Sequence, residues 1–470
     1  MRSSRAVPEY DDETRRLIDA MREAEERAIA ARFEASLDYS GAPAESGQRG
    51  VATRRQFLFG AAALAGTGSM LPRLASAAPP GAMDFPVPAD STREQGRLTN
   101  DDGGYGSRSQ FEDEVRWRFP TATKESSWTM TPLADGMGVI TPSGLHFERH
   151  HGGIPNINPA SHSLTIHGMV NSAMQFTMDD IKRFPSVSRI HFIECSGNGL
   201  TEWREPTLKT VQGTHGLTST SEWTGVPLST LLREVGVKPR AAWILAEGAD
   251  AAVMTRSIPL EKGWSDAIVA YGQNGEALRP EQGHPLRLVL PGFEGNTHIK
   301  WLRRLEISDQ PFMTREETSK YTDLLDGGKA RQFSFTMEAK SVITFPSGEM
   351  KLPGAGFYEV TGLAWSGRGR VKRVEVSADG GKNWHLASLQ DPILPVCHTR
   401  FRFPWFWDGQ PAVLQSRCQD ETGYIQPTIK QLVDVRGLGG GKYGSIYHLN
   451  GIQSWNVAAD GSVSNVHHYA

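Results

Sequence analysis

The chain has 470 residues, of which 38% are hydrophobic and 22% charged, and its formal net charge is −3. This is the composition of a globular protein with room for two large domains, and the near-neutral charge gives no reason to expect nucleic-acid binding. Three cysteines are too few for a disulfide framework. The sequence has no CxxCH motif and no CxxC motif, so we expect no covalent c-type haem in this chain and no zinc site of that type.

The amino terminus is expected to be an export leader. Residues 1–52 form a charged extension that is compatible with disorder and to which we assign no function. Residues 53–77 begin with TRRQFL, continue as an apolar run and end in Ala75-Ser76-Ala77, which is the pattern of a twin-arginine signal with a small-residue cleavage site. The apolar run is too short to span a bilayer. We therefore expect export of the folded protein to the periplasm, without a membrane anchor.

Beyond an extended lead-in at 78–110, residues 111–325 predict a mixed domain of strands and short helices. The strand predicted at Val187–Glu194 leads directly into Cys195, and the amphipathic spacing of Val226–Val237 predicts a helix. The remaining predicted elements are strands at Ser163–Val170, Ala242–Glu247, His284–Leu290 and His298–Ile307, and a short helix at Thr177–Phe184 that Thr177 caps.

Residues 333–465 predict an all-β sandwich. Val371–Ser377 alternates between apolar and polar residues, and the sequence ADGG at 378–381 predicts a hairpin turn back to Trp384–Leu389. A second hairpin is expected between Arg400–Trp407 and Ala412–Gln419, turning at Asp408-Gly409. Counting back from that turn leaves Cys397 and Cys418 out of register, so we predict two structural thiols without a disulfide, Cys418 being buried.

Cys195 is the candidate chemical centre. The segment SRIHFIECSGNG, residues 188–199, places this cysteine where a strand ends in a tight turn, a position from which side chains reach into clefts. A thiolate there can bind a transition metal or act as a nucleophile, although a lone cysteine is more often a buried structural residue.

Clusters of cationic and imidazole side chains accompany this cysteine. They lie in FERHH at 147–151, in HPLRLVLPG around Arg287, and in HIKWL with His298 and Lys300. Each cluster taken alone is more often a solvated surface or a hydrogen-bonded polar residue. Together with Cys195 they suit a metal cofactor that carries phosphate.

Six ordered motifs resemble the sulfite oxidase family of molybdenum enzymes: FERHH at 147–151, ECSGN at 194–198, SEWTGVPL at 221–228, AEGAD at 246–250, HPLRLVLPG at 284–292 and HIKWL at 298–302. The later segment VEVSADGGKNW is similar to that family's dimerisation domain. The resemblance covers nearly all of residues 110–465 and implies an α+β fold. A mixed α/β molybdopterin-binding catalytic domain would precede an all-β, immunoglobulin-like dimerisation domain, and the protein would be a homodimer. The stretch THGLTSTSEWTGV and the long leader are similar to the sulfane dehydrogenase branch of the family.

The resemblance also implies roles for individual residues. Cys195 would be the protein ligand of molybdenum, which is held by one molybdopterin. Arg149 would lie at the substrate oxyanions, Tyr321 near the metal, and Trp223 in the wall of the substrate pocket; alternatively, Tyr321 is a surface loop residue and Trp223 a core aromatic. The cofactor-binding set implied by the family is Phe147, Arg149, His150, His151, Asp250, Gln282, Arg287, His298 and Lys300.

Two departures from the family pattern bear on the substrate. Gly199 and Leu200 stand where sulfite oxidases have two arginines, the second of which faces the substrate, and Gln282 stands where the family has a cofactor-binding histidine. Losing a guanidinium removes charge-assisted hydrogen bonds to a sulfite dianion, and a leucine makes the pocket more apolar. A glutamine donates a hydrogen bond but carries no charge.

We therefore expect a molybdenum-dependent oxidoreductase that oxidises the outer sulfur of a cysteine persulfide on a sulfur-carrier protein and passes electrons to a cytochrome c subunit. The alternative with the same fold is a periplasmic sulfite dehydrogenase; a methionine-sulfoxide reductase lacks a second domain of this kind. A cysteine hydrolase would need a base other than His191, which lies four residues along the strand, about 13 Å from Cys195. A cofactor-free assembly subunit is the remaining alternative.

Overall fold

The structure is a computed structural model that describes residues 106–467, apart from residues 110, 120, 122, 124, 326 and 439–447. The predicted charged extension and the twin-arginine segment lie outside the described residues, as does most of the predicted lead-in. Among the residues that are described, no helix combines the length and the apolar character needed to cross a bilayer.

The amino-terminal part, residues 117–308, contains three sheets. A small sheet joins β1 (Trp117–Phe119), β2 (Ser127–Met130) and β3 (Glu148–His150). The second sheet consists of β4 (Ser163–Gly168), β5 (Met174–Thr177), β8 (Trp243–Gly248), β9 (Thr255–Pro259) and β13 (Leu302–Ser308). Its strands are arranged in the order β5-β4-β13-β8-β9. The order of the third is β11-β10-β7-β6 with β12 beside β10, from β6 (Val187–Glu194), β7 (Thr218–Pro227), β10 (Ile268–Gln273), β11 (Glu276–Ala277) and β12 (Arg287–Val289).

Four short helices connect these strands: α1 (Met178–Arg183), α2 (Val211–His215), α3 (Leu228–Val235) and α4 (Leu260–Ser265). The predicted cap of α1 is present, because the Thr177 side chain accepts from Asp180 N and the Asp180 side chain accepts from Thr177 N. In α3 the buried residues are Leu228, Leu231, Leu232 and Val235. That spacing covers one helix face and packs it against the core between the sheets.

The carboxy-terminal part, residues 340–466, is the predicted sandwich of two sheets. One sheet has the order β16-β17-β21-β20, from β16 (Lys340–Phe345), β17 (Gly356–Trp365), β20 (Ser388–Gln390) and β21 (Thr399–Trp407). The other has the order β19-β18-β22-β23-β24, from β18 (Val371–Ser377), β19 (His385–Leu386), β22 (Ala412–Asp420), β23 (Ser454–Val457) and β24 (Val463–Val466). Between the parts, β14 (Asp323–Leu324) pairs with β15 (Ala330–Arg331), and α5 (Ile429–Arg436) follows β22.

One of the two predicted hairpins is confirmed and the other is wrong. β18 pairs antiparallel with β19, with Val376 opposite His385. In contrast, β21 pairs with β17 and β20, whereas β22 pairs with β18 and β23, so the chain crosses between the sheets at the predicted turn. Local alternation predicts both strands but does not determine which sheet each one joins. Cys397 and Cys418 are both free thiols, Cys418 is buried as predicted, and Cys397 is buried as well.

Candidate active site

A cavity in the amino-terminal part collects the predicted site residues. Its empty volume is about 690 Å³, counting the part that opens to solvent. Every residue of the predicted set except Trp223 lines it: Phe147, Arg149, His150, His151, Cys195, Asp250, Gln282, Arg287, His298, Lys300 and Tyr321. Motifs that are up to 174 residues apart in sequence, from Phe147 to Tyr321, therefore meet at one place.

The turn after β6 fixes Cys195 through its own backbone and one asparagine. Cys195 N donates to Leu217 O (2.9 Å), and Asn198 N donates to Cys195 O (2.9 Å). The Asn198 side chain accepts from Leu217 N (3.1 Å) and donates to Glu194 Oε1 (2.9 Å). Gly199 has φ of +86°, a left-handed conformation that glycine adopts without steric cost. The ECSGN motif thus encodes a rigid turn that presents the thiol.

Glu194 anchors this turn to the carboxy-terminal part. Its fully buried carboxylate accepts from Lys340 Nζ (2.6 Å) through Oε1 and from Trp365 Nε1 (2.7 Å) through Oε2. Lys340 is also fully buried, so the pair is shielded from water. The sequence alone gave no signal for this contact, because Lys340 is 146 residues from Glu194.

The environment of the thiol is mixed. Burial raises the pKa of Cys195, while the backbone of Gly197 and the positive charge of Arg149 oppose that rise and Glu194 adds to it. A bound cation would favour the thiolate, which is the form that ligates metals. Both ring nitrogens of His150 and of His298 are engaged with other groups, so neither of these histidines supports the hydrolase hypothesis.

Three cations line the cavity: Arg287 is buried, and Arg149 and Lys300 are half-buried. Burial lowers the pKa of each, to about 9 for Arg287. In the described part of the chain no carboxylate forms an ion pair with any of the three; the nearby carboxylates of Glu148 and Glu281 face Arg116 instead. Buried positive charge without a counter-ion is costly, so this surface is suited to an anionic group.

Lys300 is held in place by hydrogen bonds, and the carboxylates of Asp250 and Glu281 only partly offset the lowering of its pKa on burial. Its Nζ donates to Arg149 O (3.1 Å), Glu281 O (3.0 Å) and His150 Nδ1 (2.8 Å). The other ring nitrogen of His150, Nε2, donates to Glu148 Oε2 (2.7 Å). His150 therefore has both ring nitrogens occupied and positions Lys300, whereas His151 is exposed at the cavity.

His298 and Asp250 are also engaged within the protein. His298 Nδ1 accepts from Leu290 N (3.2 Å), and its Nε2 lies 3.2 Å from Phe293 O. Burial lowers the pKa of His298 well below its usual value, and Arg287 lowers it further, so the ring is neutral. Asp250 Oδ1 accepts from Met254 N (3.1 Å) and thereby shapes the turn that carries Met254 to the cavity.

Gln282 positions an arginine. Its Nε2 donates to Phe147 O (3.0 Å), and its Oε1 accepts from Arg287 Nη1 (3.1 Å). Arg287 Nε is buried and has no hydrogen-bond partner within the described ranges. The guanidinium is therefore oriented by protein groups on one side and retains hydrogen-bonding capacity for a ligand.

Trp223 does not line the cavity, contrary to the role that the family resemblance implied. Its ring is fully buried, its Nε1 donates to His191 O (3.2 Å), and the guanidinium carbon of Arg287 lies 5.0 Å from its ring centre. Trp223 is thus a core aromatic that supports Arg287 from behind by a cation–π contact.

Leu200 also lies outside the cavity lining. It packs against the apolar cluster of Trp203, Leu432 and Leu449, so it does not make the pocket more apolar. The predicted apolar contribution of Leu200 to the pocket is therefore wrong. The predicted loss of a cation stands, since neither Gly199 nor Leu200 carries a positive charge.

Tyr321 follows a π-helical turn, Glu316–Lys320, and lines the cavity. The guanidinium carbon of the buried Arg256 lies 4.9 Å from the Tyr321 ring centre, and Arg256 Nε pairs with Glu317 Oε1 (2.8 Å). Burial raises the pKa of the Tyr321 hydroxyl above its usual value, and the neighbouring Cys195 adds to the rise. The hydroxyl is therefore protonated at neutral pH.

The prediction missed three polar or aromatic residues of the cavity lining, His146, Asn296 and Trp301. Asn296 Nδ2 donates to Ser196 Oγ (3.0 Å) in the ligand turn, and Trp301 Nε1 donates to Pro280 O (2.9 Å). Trp301 is part of the HIKWL motif and Asn296 lies two residues before it, so the motif could have indicated both. His146 directly precedes FERHH, and only its polarity beside Phe147 marked it.

Comparisons with known proteins agree with this arrangement. Residues 151–316 match the family described as oxidoreductase molybdopterin binding domain, and residues 331–448 match the Mo-co oxidoreductase dimerisation domain. The NADH nitrate reductase 2 of Phaseolus vulgaris is 32% identical over 311 residues, which cover 59% of this chain and 35% of that protein. The NADH nitrate reductase of Ulva prolifera is 33% identical over 293 residues, covering 55% and 34%. This chain therefore spans about a third of the length of the nitrate reductases that it matches.

A solved structure matches this chain over most of both chains. It is the crystal structure of the sulfane dehydrogenase SoxCD from Paracoccus pantotrophus, with a TM-score of 0.76 and 46% identity. The match covers 80% of this chain and 96% of that one.

Proposed function

This chain belongs to the sulfite oxidase family of molybdopterin oxidoreductases, and from that premise we propose that it oxidises the outer sulfur of a cysteine persulfide carried on a sulfur-carrier protein. It is an oxidoreductase with a molybdopterin-binding domain followed by a dimerisation domain. The proposed substrate follows from the charge distribution around Cys195 and from the match to a sulfane dehydrogenase.

The residues of the cavity fit a molybdenum–molybdopterin cofactor. That group combines a thiolate-binding metal with a phosphate, and the cavity combines the Cys195 thiol with cations that lack a counter-ion and with the unpartnered Nε of Arg287. Cys195 would bind the metal, and Arg287 and Lys300 would bind anionic groups of the cofactor. When bound, the cofactor supplies the two-electron redox chemistry and the oxygen-atom transfer to sulfur.

The protein's contribution is to bind, orient and exclude water. Arg149 is positioned by Ser126 Oγ, 3.2 Å from its Nη1, and by the carbonyl of His150, and it would stabilise the oxyanions that form as the sulfur is oxidised. Tyr321 would donate its hydroxyl hydrogen to a substrate oxygen. The ion pair of Arg256 with Glu317 would keep that ring in place.

The observation that carries the substrate proposal is that the ligand turn adds no cation to the cavity. The residues after Asn198 are Gly199 and Leu200, and Leu200 is packed into an apolar cluster. Free sulfite is a compact oxyanion that is partly doubly charged at neutral pH and gains from a second guanidinium, whereas the terminal sulfur of a persulfide carries less charge. A carrier-bound persulfide therefore suits a pocket with Arg149 as its substrate-facing cation.

We propose a cytochrome c subunit as the electron acceptor and the periplasm as the location. The first is supported by the likeness to SoxCD, and the second by the TRRQFL pattern in residues 53–77. We also propose that two copies associate through the carboxy-terminal part, in keeping with its match to a dimerisation domain.

The decisive experiment compares two substrates on the mature, molybdenum-loaded protein with its haem acceptor. We expect kcat/KM for haem reduction to be about 10- to 100-fold higher with a persulfide-loaded carrier than with free sulfite. One charge-assisted hydrogen bond contributes about 1.5–3 kcal/mol, which corresponds to about this ratio. The variant C195S removes the metal-ligating thiol and should reduce the haem with neither substrate. Faster reduction by sulfite than by the carrier would instead make the protein a sulfite dehydrogenase.

A further inference from the structure

His146 is a fully buried side chain in the cavity with an unused ring nitrogen. It is 0% exposed and lines the cavity, and its Nε2 has no hydrogen-bond partner among the residues that the structure describes. Most buried polar side-chain atoms are paired, so an unpaired one at a ligand cavity indicates a group that the ligand satisfies.

The hydrogen bond of the other ring nitrogen determines what Nε2 can do. Nδ1 lies 3.0 Å from Phe147 O, and because a carbonyl oxygen only accepts, Nδ1 carries the hydrogen. Burial lowers the pKa of His146 to about 3, and the positive charge of Arg287 lowers it further, so the ring is neutral at physiological pH. Nε2 is then a bare lone pair. It can accept a hydrogen bond from an N–H or O–H group but has nothing to offer a phosphate oxygen.

In the described part of the chain no protein group provides that donor. Gln282 Nε2 instead donates to Phe147 O (3.0 Å) and to His146 O (3.5 Å). The His146 ring stacks on Phe147, with ring centres 5.1 Å apart, and meets the edge of Trp223 at 5.7 Å. These contacts fix the ring plane and leave Nε2 unpaired.

We propose that His146 is a cofactor-contact residue that accepts a hydrogen bond from an N–H group of the pterin. Two kinds of cavity residue would then contact the cofactor. The cations bind its anionic groups, and His146 accepts a hydrogen bond from an N–H group of the pterin ring. This assignment depends on the cofactor of the family and not on the sulfur substrate proposed above.

The test measures cofactor retention without any substrate. The loaded full-length protein and its variants are incubated in mild urea, and molybdenum content and released pterin fluorescence are followed over time. We expect H146F, which keeps an aromatic ring but loses both nitrogens, to release the cofactor about 10- to 100-fold faster than the wild type, the effect of leaving one buried donor unpaired. H146Q, whose amide oxygen reaches the position of Nε2, should stay within about threefold of the wild type.

A second measurement separates cofactor contact from a structural role. Because H146F removes an unsatisfied buried nitrogen, the cofactor-free variant should melt no lower than the cofactor-free wild type. The matched control is H398F, at a buried histidine outside the cavity whose Nε2 lies 2.9 Å from Thr218 Oγ1. This variant should lose thermal stability but release the cofactor at the wild-type rate.

Wild-type retention by H146F would overturn the proposal, and so would an equal loss of melting temperature in its cofactor-free and loaded forms. Should H146F not fold, H146N and H146Q decide the question, since the asparagine amide is too short to replace Nε2. Faster release from H146N than from H146Q supports the proposal, and equal release overturns it.

Discussion

Two groups of buried charges flank Cys195, and they are built differently. Behind the cysteine, the carboxylate of Glu194 is balanced by Lys340 and receives further hydrogen bonds from Asn198 and Trp365. In front of it, the cations of the cavity have hydrogen bonds to carbonyl and hydroxyl groups but no carboxylate partner among the described residues.

The difference separates scaffold from binding site. A buried network with every charge balanced rigidifies its surroundings and needs nothing further. A buried surface with surplus positive charge destabilises the protein until an anion binds to it. Such a surface is therefore a binding site and not part of the scaffold. The rigid turn behind Cys195 holds the thiol at the wall of a cavity that is itself incomplete without a ligand.

Removing Lys340 should break the scaffold and gives the largest expected effect. In K340M the Glu194 carboxylate remains buried without its counter-ion, which we expect to lower the free energy of unfolding by about 3–5 kcal/mol. Urea unfolding of the cofactor-free protein measures the loss. The double variant E194Q/K340M carries no unbalanced charge and should recover about 2 kcal/mol of it. A cost below about 1 kcal/mol for K340M would show that the pair contributes little to the scaffold.

The sequence predicted the members of the cavity better than their partners. Cys195, Arg149, Arg287 and Lys300 stand in short motifs whose order and spacing resemble those of a known family, so their convergence could be expected. The contact between Glu194 and Lys340 could not, because it joins two parts of the chain whose packing no local pattern encodes. The same holds for Leu200, which packs against Leu449, and for the sheet change between β21 and β22.

The sequence also did not determine whether certain single residues lie in the core or in the cavity wall. Trp223 was assigned to the pocket wall by resemblance, yet an indole is as suited to the core, where it is found. His146 lies beside an apolar residue and resembles an ordinary core histidine until the unpaired nitrogen is seen. The fold class could be predicted because it depends on many positions, whereas these roles depend on one hydrogen bond each.

Inorganic phosphate should bind to the cavity but not to the scaffold, and its expected effect on stability is smaller than that of removing Lys340. We expect inorganic phosphate to stabilise the cofactor-free protein by about 2.7 kcal/mol at a concentration of 100 times its Kd, because it supplies the missing negative charge. The measurement is the free energy of unfolding in phosphate and in chloride at equal ionic strength. R287M should lose most of this difference.

A matched control removes an arginine that already has a carboxylate partner. Arg303, which pairs with Glu247 Oε1 at 2.6 Å, contributes nothing to the cavity, so R303M should keep the wild-type response to phosphate. General stabilisation by phosphate through exclusion from the protein surface would appear equally in all three proteins. An unchanged response in R287M would therefore mean that the cavity does not bind the anion.

Backbone strain also differs between the scaffold behind Cys195 and the cavity in front of it, and releasing it has the smallest expected effect on stability. The ligand turn has its left-handed position at Gly199, whereas the turn beside the cavity has one at Val253, with φ of +47°. A β-branched residue is strained in that region. Asp250 O accepts from Val253 N (3.0 Å), and the facing Gly152 is so close that a Cβ there would lie 2.6 Å from Ala252 N. The turn is therefore held from both sides and cannot relax.

Replacing Val253 by asparagine, which tolerates the left-handed region, should raise the free energy of unfolding by about 1 kcal/mol. The control V115N changes another exposed valine at a position without a positive φ and should stay within about 0.5 kcal/mol of the wild type. If V253N is more stable and keeps its cofactor, the strain is only a by-product of the close approach at Gly152. If it is more stable but releases the cofactor faster, the strained turn is part of the cavity's construction, because it then sets where Asp250 and Met254 meet the ligand. No gain in stability would mean that the strain at Val253 is too small to matter.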